Sequence, residues 1–158
     1  MAPAALFGIS IALGFLAWGL VAARYIWPAL RTRPRTDALR PLLLLHCFRF
    51  IGLAFVIPGV ASPELPAAFA KPAAYGDLIA AVLALIAYAA LETRFGIALV
   101  WAFNLWGTAD LLHAYYQGRI GVGVEPGQLG AAYFIPTVVV PLLLITHGLV
   151  FRILLRKD

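Results

Sequence analysis

The sequence predicts an all-α membrane protein, a polytopic bundle of about five transmembrane helices with the N-terminus outside and the C-terminus in the cytoplasm. Hydrophobic residues make up 63% of the chain and charged residues 12%, whereas a soluble domain carries about 25% charged residues. The mean hydropathy is +0.94. A chain of 158 residues cannot bury that much apolar surface in one aqueous core, so lipid is the expected solvent. The length predicts one domain covering residues 1–158.

Five apolar runs approach the length of about 20 residues that a membrane-spanning helix needs. The predicted spans are residues 4–27, 41–60, 77–92, 95–116 and 131–155. The first run has no Lys or Arg before it, which a cleaved signal peptide would require, so it is predicted to be a span. The third run is the shortest. Its alanines at helical spacing, Ala80, Ala84 and Ala87, predict close packing against a neighbouring helix.

The charges of the connections predict the orientation. Basic residues cluster after the first, third and fifth spans, at Arg31, Arg33, Arg35, Arg40, Arg94, Arg152, Arg156 and Lys157. The two remaining connections hold only Lys71 and Arg119. Cytoplasmic loops carry an excess of Lys and Arg, so the basic ends are predicted to face the cytoplasm. The net charge of +5 does not indicate nucleic-acid binding, because the basic residues are distributed between and after the apolar runs and do not form one patch.

The outer connections and the single cysteine indicate structural roles and no catalytic or binding motif. Residues 61–77 contain three prolines, so we expect an irregular connector there, or an interfacial cap over the bundle. Residues 117–130 are rich in glycine but lack the spacing of a phosphate-binding loop. Cys47 has no partner for an intramolecular disulfide. In the fifth span, Pro136 and Pro141 are each predicted to kink the helix.

Polar and ionisable residues inside the predicted spans are the candidates for function, because such residues are costly in lipid. The leading hypothesis is a binding or transport site for a small or lipid-like molecule. Its predicted ligand-binding residues are Asn104, Asp110, His113, Gln117 and Arg49. A carboxylate beside an imidazole towards the outer end of the fourth span predicts a polar pocket there.

A second hypothesis is a redox protein that carries haem b. His46 and His147 lie on different spans, each about 8 Å from the cytoplasmic end at 1.5 Å per residue. Bis-histidine ligation of haem in a bundle needs one imidazole from each of two facing helices. Arg49 would then pair with a haem propionate. If haem is bound, His46 and His147 are the predicted metal ligands; packing roles for both remain the alternative.

One stretch resembles a known family. The segment RFIGLAFVIPG (residues 49–59), followed by a proline-rich outer loop and an alanine-rich helix, resembles small bacterial membrane proteins of the DoxX type. The resemblance covers about a quarter of the chain and carries over no functional residue. The predicted number of spans is higher than this resemblance implies.

The expected partners and location follow from these patterns. The lipid bilayer is the first expected partner, followed by a small-molecule or lipid ligand and by other membrane subunits or a second copy of the chain. A third hypothesis is therefore an accessory subunit of a larger membrane complex. An enzyme acting on lipid has no recognisable residue set. The expected location is a bacterial inner membrane, with several passes.

Overall fold

The computed structural model describes residues 1–156, and this part of the chain is a bundle of helices without a β-sheet. Its five long helices are α1 (Pro3–Leu30), α2 (Arg35–Val56), α3 (Ala67–Ala89), α4 (Gly96–Tyr116) and α5 (Ile135–Leu154). A π-helical turn, Gln117–Gly121, extends α4, and a 3-10 segment, Pro126–Tyr133, precedes α5. The all-helical class is therefore as predicted.

Four of the five helices, α1, α2, α3 and α5, are long and apolar enough to cross a membrane. The remaining helix, α4, is 21 residues long and is not among the helices apolar enough to cross a membrane; it carries Asn104 and Asp110. The length and composition of the other four helices support the membrane class of the chain.

Hydrogen bonds between the connections show that successive helices run in opposite directions. At one end, the Arg35 guanidinium donates to the Arg156 carbonyl at 2.6 Å, and Arg156 donates to the Arg33 carbonyl at 3.0 Å. At the other end, the Ala131 N–H donates to the Val60 carbonyl at 2.8 Å. The basic connections therefore meet at the same end of the bundle. Lys157, which was grouped with them, lies outside the described residues.

The boundary predicted for the third span is wrong at its N-terminus. Helix α3 begins at Ala67, ten residues before the predicted start, and Pro72 lies inside it. A proline in the second turn removes one backbone hydrogen bond, and the rest of the helix continues past it. The irregular connector is accordingly shorter than expected. The predicted close packing of this helix is confirmed, since Ala80, Ala84 and Ala87 are fully buried.

Helix α2 changes geometry halfway along. It is α-helical over Arg35–His46 and continues as a 3-10 helix over Cys47–Val56. A 3-10 helix has three residues per turn, so every third residue lies on the same face. The buried residues at this spacing are His46, Arg49, Gly52 and Phe55. The change of geometry therefore aligns a histidine and an arginine with the interior.

Helix α1 lies at the edge of the bundle and runs parallel to α5. The Trp18 indole donates to the Val138 carbonyl at 3.0 Å, and the Arg152 guanidinium lies 3.9 Å from the centre of the Trp27 indole ring. No residue of Pro3–Val21 is buried. Gly14 marks the closest approach of α1 to the backbone of α5. A Cβ there would lie 2.2 Å from the Thr137 carbonyl oxygen.

The two prolines of the last helix occur where its geometry changes. Pro136 belongs to a π-helical turn, Ile135–Val139, and Pro141 lies in the first turn of the α-helix Val140–Leu154. A wide turn accommodates a residue that cannot donate a backbone hydrogen bond. Helix α5 is therefore π-helical at Pro136 and regularly α-helical from Val140, so Pro141 lies in an ordinary first turn. The kinks expected at the two prolines stay predictions.

Two apolar clusters fill the bundle, one in each half. The inner cluster lies near the basic end and includes Leu39, Leu43, Val100, Phe103, Val150 and Ile153. The outer cluster includes Phe55, Phe69, Leu111, Leu129, Ile135 and Leu143. The helices that contribute to both clusters also supply the buried polar side chains, which are His46, Arg49, Asp77, Asn104, Thr137, Thr146 and His147.

The close approach at Gly14 predicts the effect of an alanine there. Gly14→Ala should lower the free energy of unfolding by about 1–3 kcal/mol, because the added methyl group forces α1 away from α5. The measurement is thermal or denaturant unfolding in detergent. Gly19→Ala is the matched control, since a Cβ at Gly19 meets nothing within 4 Å. Equal stability of the two variants would contradict the packing described here.

Candidate functional site

The candidate site is organised around one buried guanidinium. The side chain of Arg49 has no exposed surface, and its Nη2 atom lies 2.7 Å from Asp77 Oδ1 and 2.7 Å from Asp110 Oδ2. Its Nε atom also donates to Asp77 at 2.7 Å. Its Nη1 atom donates to the Gly107 carbonyl at 3.1 Å and lies 3.2 Å from His147 Nε2. These contacts comprise four hydrogen bonds, to Asp77, Gly107, His147 and Asp110, and a further ion-pair contact between Nη2 and Asp77.

The contact with Arg49 fixes the hydrogen-bonding role of His147. A guanidinium can only donate, so His147 Nε2 accepts and the ring proton resides on Nδ1. That proton is donated to Asn104 Oδ1 at 2.6 Å, and the Asn104 amide donates back to the His147 carbonyl at 3.3 Å. His147 is therefore a neutral member of the network, and Asn104 holds its orientation.

His46 lies beside His147 on the inner side of the network. The two imidazole rings are 4.1 Å apart between centroids. His46 Nε2 lies 3.0 Å from the Thr146 hydroxyl, which also lies within 3.0 Å of the Leu142 and Leu143 carbonyls. The hydroxyl donates to these carbonyls, so His46 donates from Nε2. Its Nδ1 atom is then a buried acceptor without a hydrogen-bond partner, which costs less than a buried donor left unpaired.

Three buried glycines make room for these charged side chains. A Cβ at Gly52 would lie 2.2 Å from the Asp77 carboxylate, and one at Gly76 would lie 1.8 Å from the Asp110 carboxylate. A Cβ at Gly107 would lie 2.6 Å from Arg49 Nη1. The glycines come from α2, α3 and α4 in turn. The three backbones can therefore approach the charged groups closely.

A cavity of about 700 Å³ opens beside the network in the outer half of the bundle. Its walls come from α1, α3, α4 and α5 with Phe55 of α2, and its far end from residues 118–126. The lining is mostly apolar, and both Asp77 and Asp110 belong to it. Such a size, with apolar walls and a few converging polar groups, is typical of sites for small molecules.

The structure brings together only some of the predicted ligand-binding residues. Arg49, Asp110 and Asn104 belong to one network, with Asn104 joined to Arg49 through His147. His113 is exposed on the surface of α4, and Gln117 is half-buried at its end. Neither side chain is among the described residues that line the cavity.

The geometry speaks against the haem hypothesis. A porphyrin must lie between its two axial imidazoles, but the rings of His46 and His147 are in direct contact at 4.1 Å. The Nε2 atoms face Thr146 and Arg49. An arginine bonded to a buried nitrogen cannot give way to iron without breaking the network. His46 and His147 are therefore part of a hydrogen-bonded core and not a pair of haem ligands.

Asp77 and the three glycines are residues of the network that were not predicted from the sequence. Asp77 stood at the predicted start of the third span, where a carboxylate is expected to face water. Because α3 begins ten residues earlier, Asp77 lies in the middle of a 23-residue helix. The sequence offered one indication of its buried position: Asp77 directly follows Gly76 and is followed by a run of apolar residues. The glycines had no signal of their own, since their role depends on which helices are neighbours.

Comparison with known proteins gives a family without an assigned activity. The model of a family described as a domain of unknown function, DUF8737, matches residues 6–155. The chain belongs to this family. No curated protein and no solved structure matches the chain significantly. The match to DUF8737 lends no support to the DoxX resemblance, and whether the chain is a subunit of a larger complex stays a prediction.

Loss of the central charge should be strongly destabilising. Arg49→Gln leaves two carboxylates in the interior without their counter-ion, and breaking a buried ion pair in this way costs about 3–5 kcal/mol. Adding Asp77→Asn to this variant should recover part of the loss. Denaturant unfolding in detergent measures both effects. Arg24→Gln, at an exposed position of α1, is the control, and a loss as large in the control would contradict a central role for Arg49.

Proposed function

We propose that this protein binds a small amphiphilic, lipid-like molecule in the cavity of its outer half. The observation that supports the proposal is the juxtaposition of a largely apolar cavity of about 700 Å³ with two carboxylates in its wall. An apolar chain would occupy the space between α1 and α4. A polar head group would lie near Asp77 and Asp110.

The inner cluster supports binding from one side rather than open passage. Leu39, Leu43, Val100, Phe103, Val150 and Ile153 are all fully buried. None of these side chains lines the cavity, which therefore does not extend among them towards the basic end of the bundle. Transport of the bound molecule to that side would require helices to separate. Binding is therefore the part of the hypothesis that this conformation favours.

For the membrane arrangement we propose five spans, with α4 packed against α3 and α5 while its Leu105 and Leu112 side chains are exposed. The polar side chains Asn104 and Asp110 of α4 bond to residues of α2 and α5, which lowers the cost of placing them in lipid. The basic end would face the cytoplasm, by the bias of Lys and Arg. The N-terminus would then lie outside, and a bacterial inner membrane is the proposed location.

A bulky side chain in the cavity should prevent binding. Ala114 lines the cavity, so Ala114→Phe should remove most of the amphiphile that co-purifies with the protein. Lipid extracted from the purified protein and quantified by mass spectrometry gives the amount bound per chain. Ala102→Phe, on an exposed position of the same helix, is the control. Equal amounts of bound amphiphile in both variants would contradict the proposed site.

The proposed orientation predicts which connections are accessible from outside. In a Cys47→Ser background, a cysteine placed at Gly127 should react with a membrane-impermeant maleimide in intact bacterial cells. A cysteine at Arg33 should react only after the cells are opened. Both positions are exposed in the structure. The reverse labelling pattern would show that the basic end faces outwards.

A further inference from the structure

We propose that the molecule bound in the cavity carries a cationic head group, of the class of alkylammonium amphiphiles. This inference rests on the proposed binding function and names its ligand class. It follows from the charge balance of the buried network, from the position of the charges relative to the cavity, and from the aromatic residues of the lining.

The buried network contains more negative than positive charge. Arg49 supplies one guanidinium, while Asp77 and Asp110 supply two carboxylates, both within 2.7 Å of it. His147 accepts a hydrogen bond from Arg49, so its imidazole is neutral. His46 Nδ1 is buried without a hydrogen-bond partner, and a proton there would add an unpaired buried charge, so the neutral form of His46 is favoured. With both carboxylates ionised, one negative charge is unbalanced. A buried charge without a counter-ion is costly, and it is neutralised either by uptake of a proton or by a second cation. A cationic head group would supply that second cation.

The cavity faces the carboxylates and not the guanidinium. Asp77 and Asp110 line the cavity, whereas Arg49 is not among the described lining residues. The exposed fraction of the side chain is 14% for Asp110 and 0% for Arg49. A ligand therefore meets the negative side of the network first. An anionic head group would be repelled, and a cation would be attracted.

The remaining charged groups of the cavity do not reverse this balance. Arg119 and Glu125 lie at its far end, where they offset each other. His113, one turn from Asp110 on α4, is exposed and does not belong to the described lining. The two aspartates thus supply the negative charge at the end of the cavity that borders the Arg49 network, which we call its floor.

The aromatic residues of the lining point to the same class of ligand. They are Phe7, Phe15, Phe55, Phe69, Tyr115 and Tyr116. The faces of such rings attract ammonium groups, most strongly where water is excluded. The same rings also provide apolar surface for an alkyl chain. An ammonium head with one hydrocarbon chain matches both the charge of the floor and the chemistry of the walls.

The test compares three amphiphiles with the same twelve-carbon chain on the wild-type protein in phosphatidylcholine nanodiscs. The probes are dodecyltrimethylammonium, its net-neutral analogue dodecyldimethylamine oxide, and dodecyl sulfate. Isothermal titration should show that the ammonium binds at least about tenfold more tightly than either of the others, a factor that a modest Coulombic attraction supplies. Amine oxide or sulfate binding as tightly as the ammonium would overturn the cationic assignment while leaving the cavity as a binding site.

Substitutions locate the preference. Asp110→Asn retains an oxygen that can accept from Arg49 and removes the unbalanced charge, so the preference for ammonium should fall to about twofold or less while amine oxide binding persists. Glu64→Gln, on an exposed loop outside the lining, should keep the full preference. A preference that is unchanged in Asp110→Asn would overturn the role of the aspartates. If no probe binds the wild type, or if Ala114→Phe leaves their binding unchanged, the proposed function fails together with this inference.

Discussion

The structure depends on the pairing of Arg49 with two carboxylates in the middle of a bundle that is otherwise apolar. A guanidinium that is hydrogen-bonded and paired with carboxylates, as Arg49 is, can be buried, whereas the same group without partners cannot. This requirement explains several features at once. Asp77 and Asp110 must come from two different helices, His147 must accept, and glycines must stand where the backbones pass closest to the charges. It also ties α2, α3, α4 and α5 together at one level.

The charged layer borders the cavity, since Asp77 and Asp110 belong to both. The close packing of the inner cluster closes the bundle towards the basic end. The outer half is less tightly filled, because α1 lies at the edge and leaves space between itself and α4. The carboxylates are the polar groups at the boundary between these halves. In the proposed complex, the two carboxylates would therefore select the head group of the ligand by its charge, and the apolar walls would contact its hydrocarbon chain.

The candidate site was partly predictable from particular residues. Arg49, Asn104 and Asp110 stood out because they are polar residues in apolar runs, and all three belong to the network. The spacing of His46 and Arg49 placed both on one face, as found. His113 and Gln117 were chosen by proximity to Asp110 along the helix, which says little about burial. Asp77 was missed because three prolines before it suggested a later start of its helix. Haem was considered because His46 and His147 are predicted to lie at a similar depth in the membrane. Depth alone does not show that their two rings are in contact.

By itself, the sequence determined the helical membrane class, the approximate position of five helices and the clustering of basic residues at one end. These properties depend on local composition and on the order of charges along the chain, and both can be read without knowing which helices are neighbours. Tertiary structure alone decided which polar side chains meet, where the cavity lies and why His46 and His147 contact each other. Those features depend on the rotation of each helix about its axis, on the 3-10 geometry of residues 47–56 and on approach distances at the glycines. Such quantities arise only when the helices pack together.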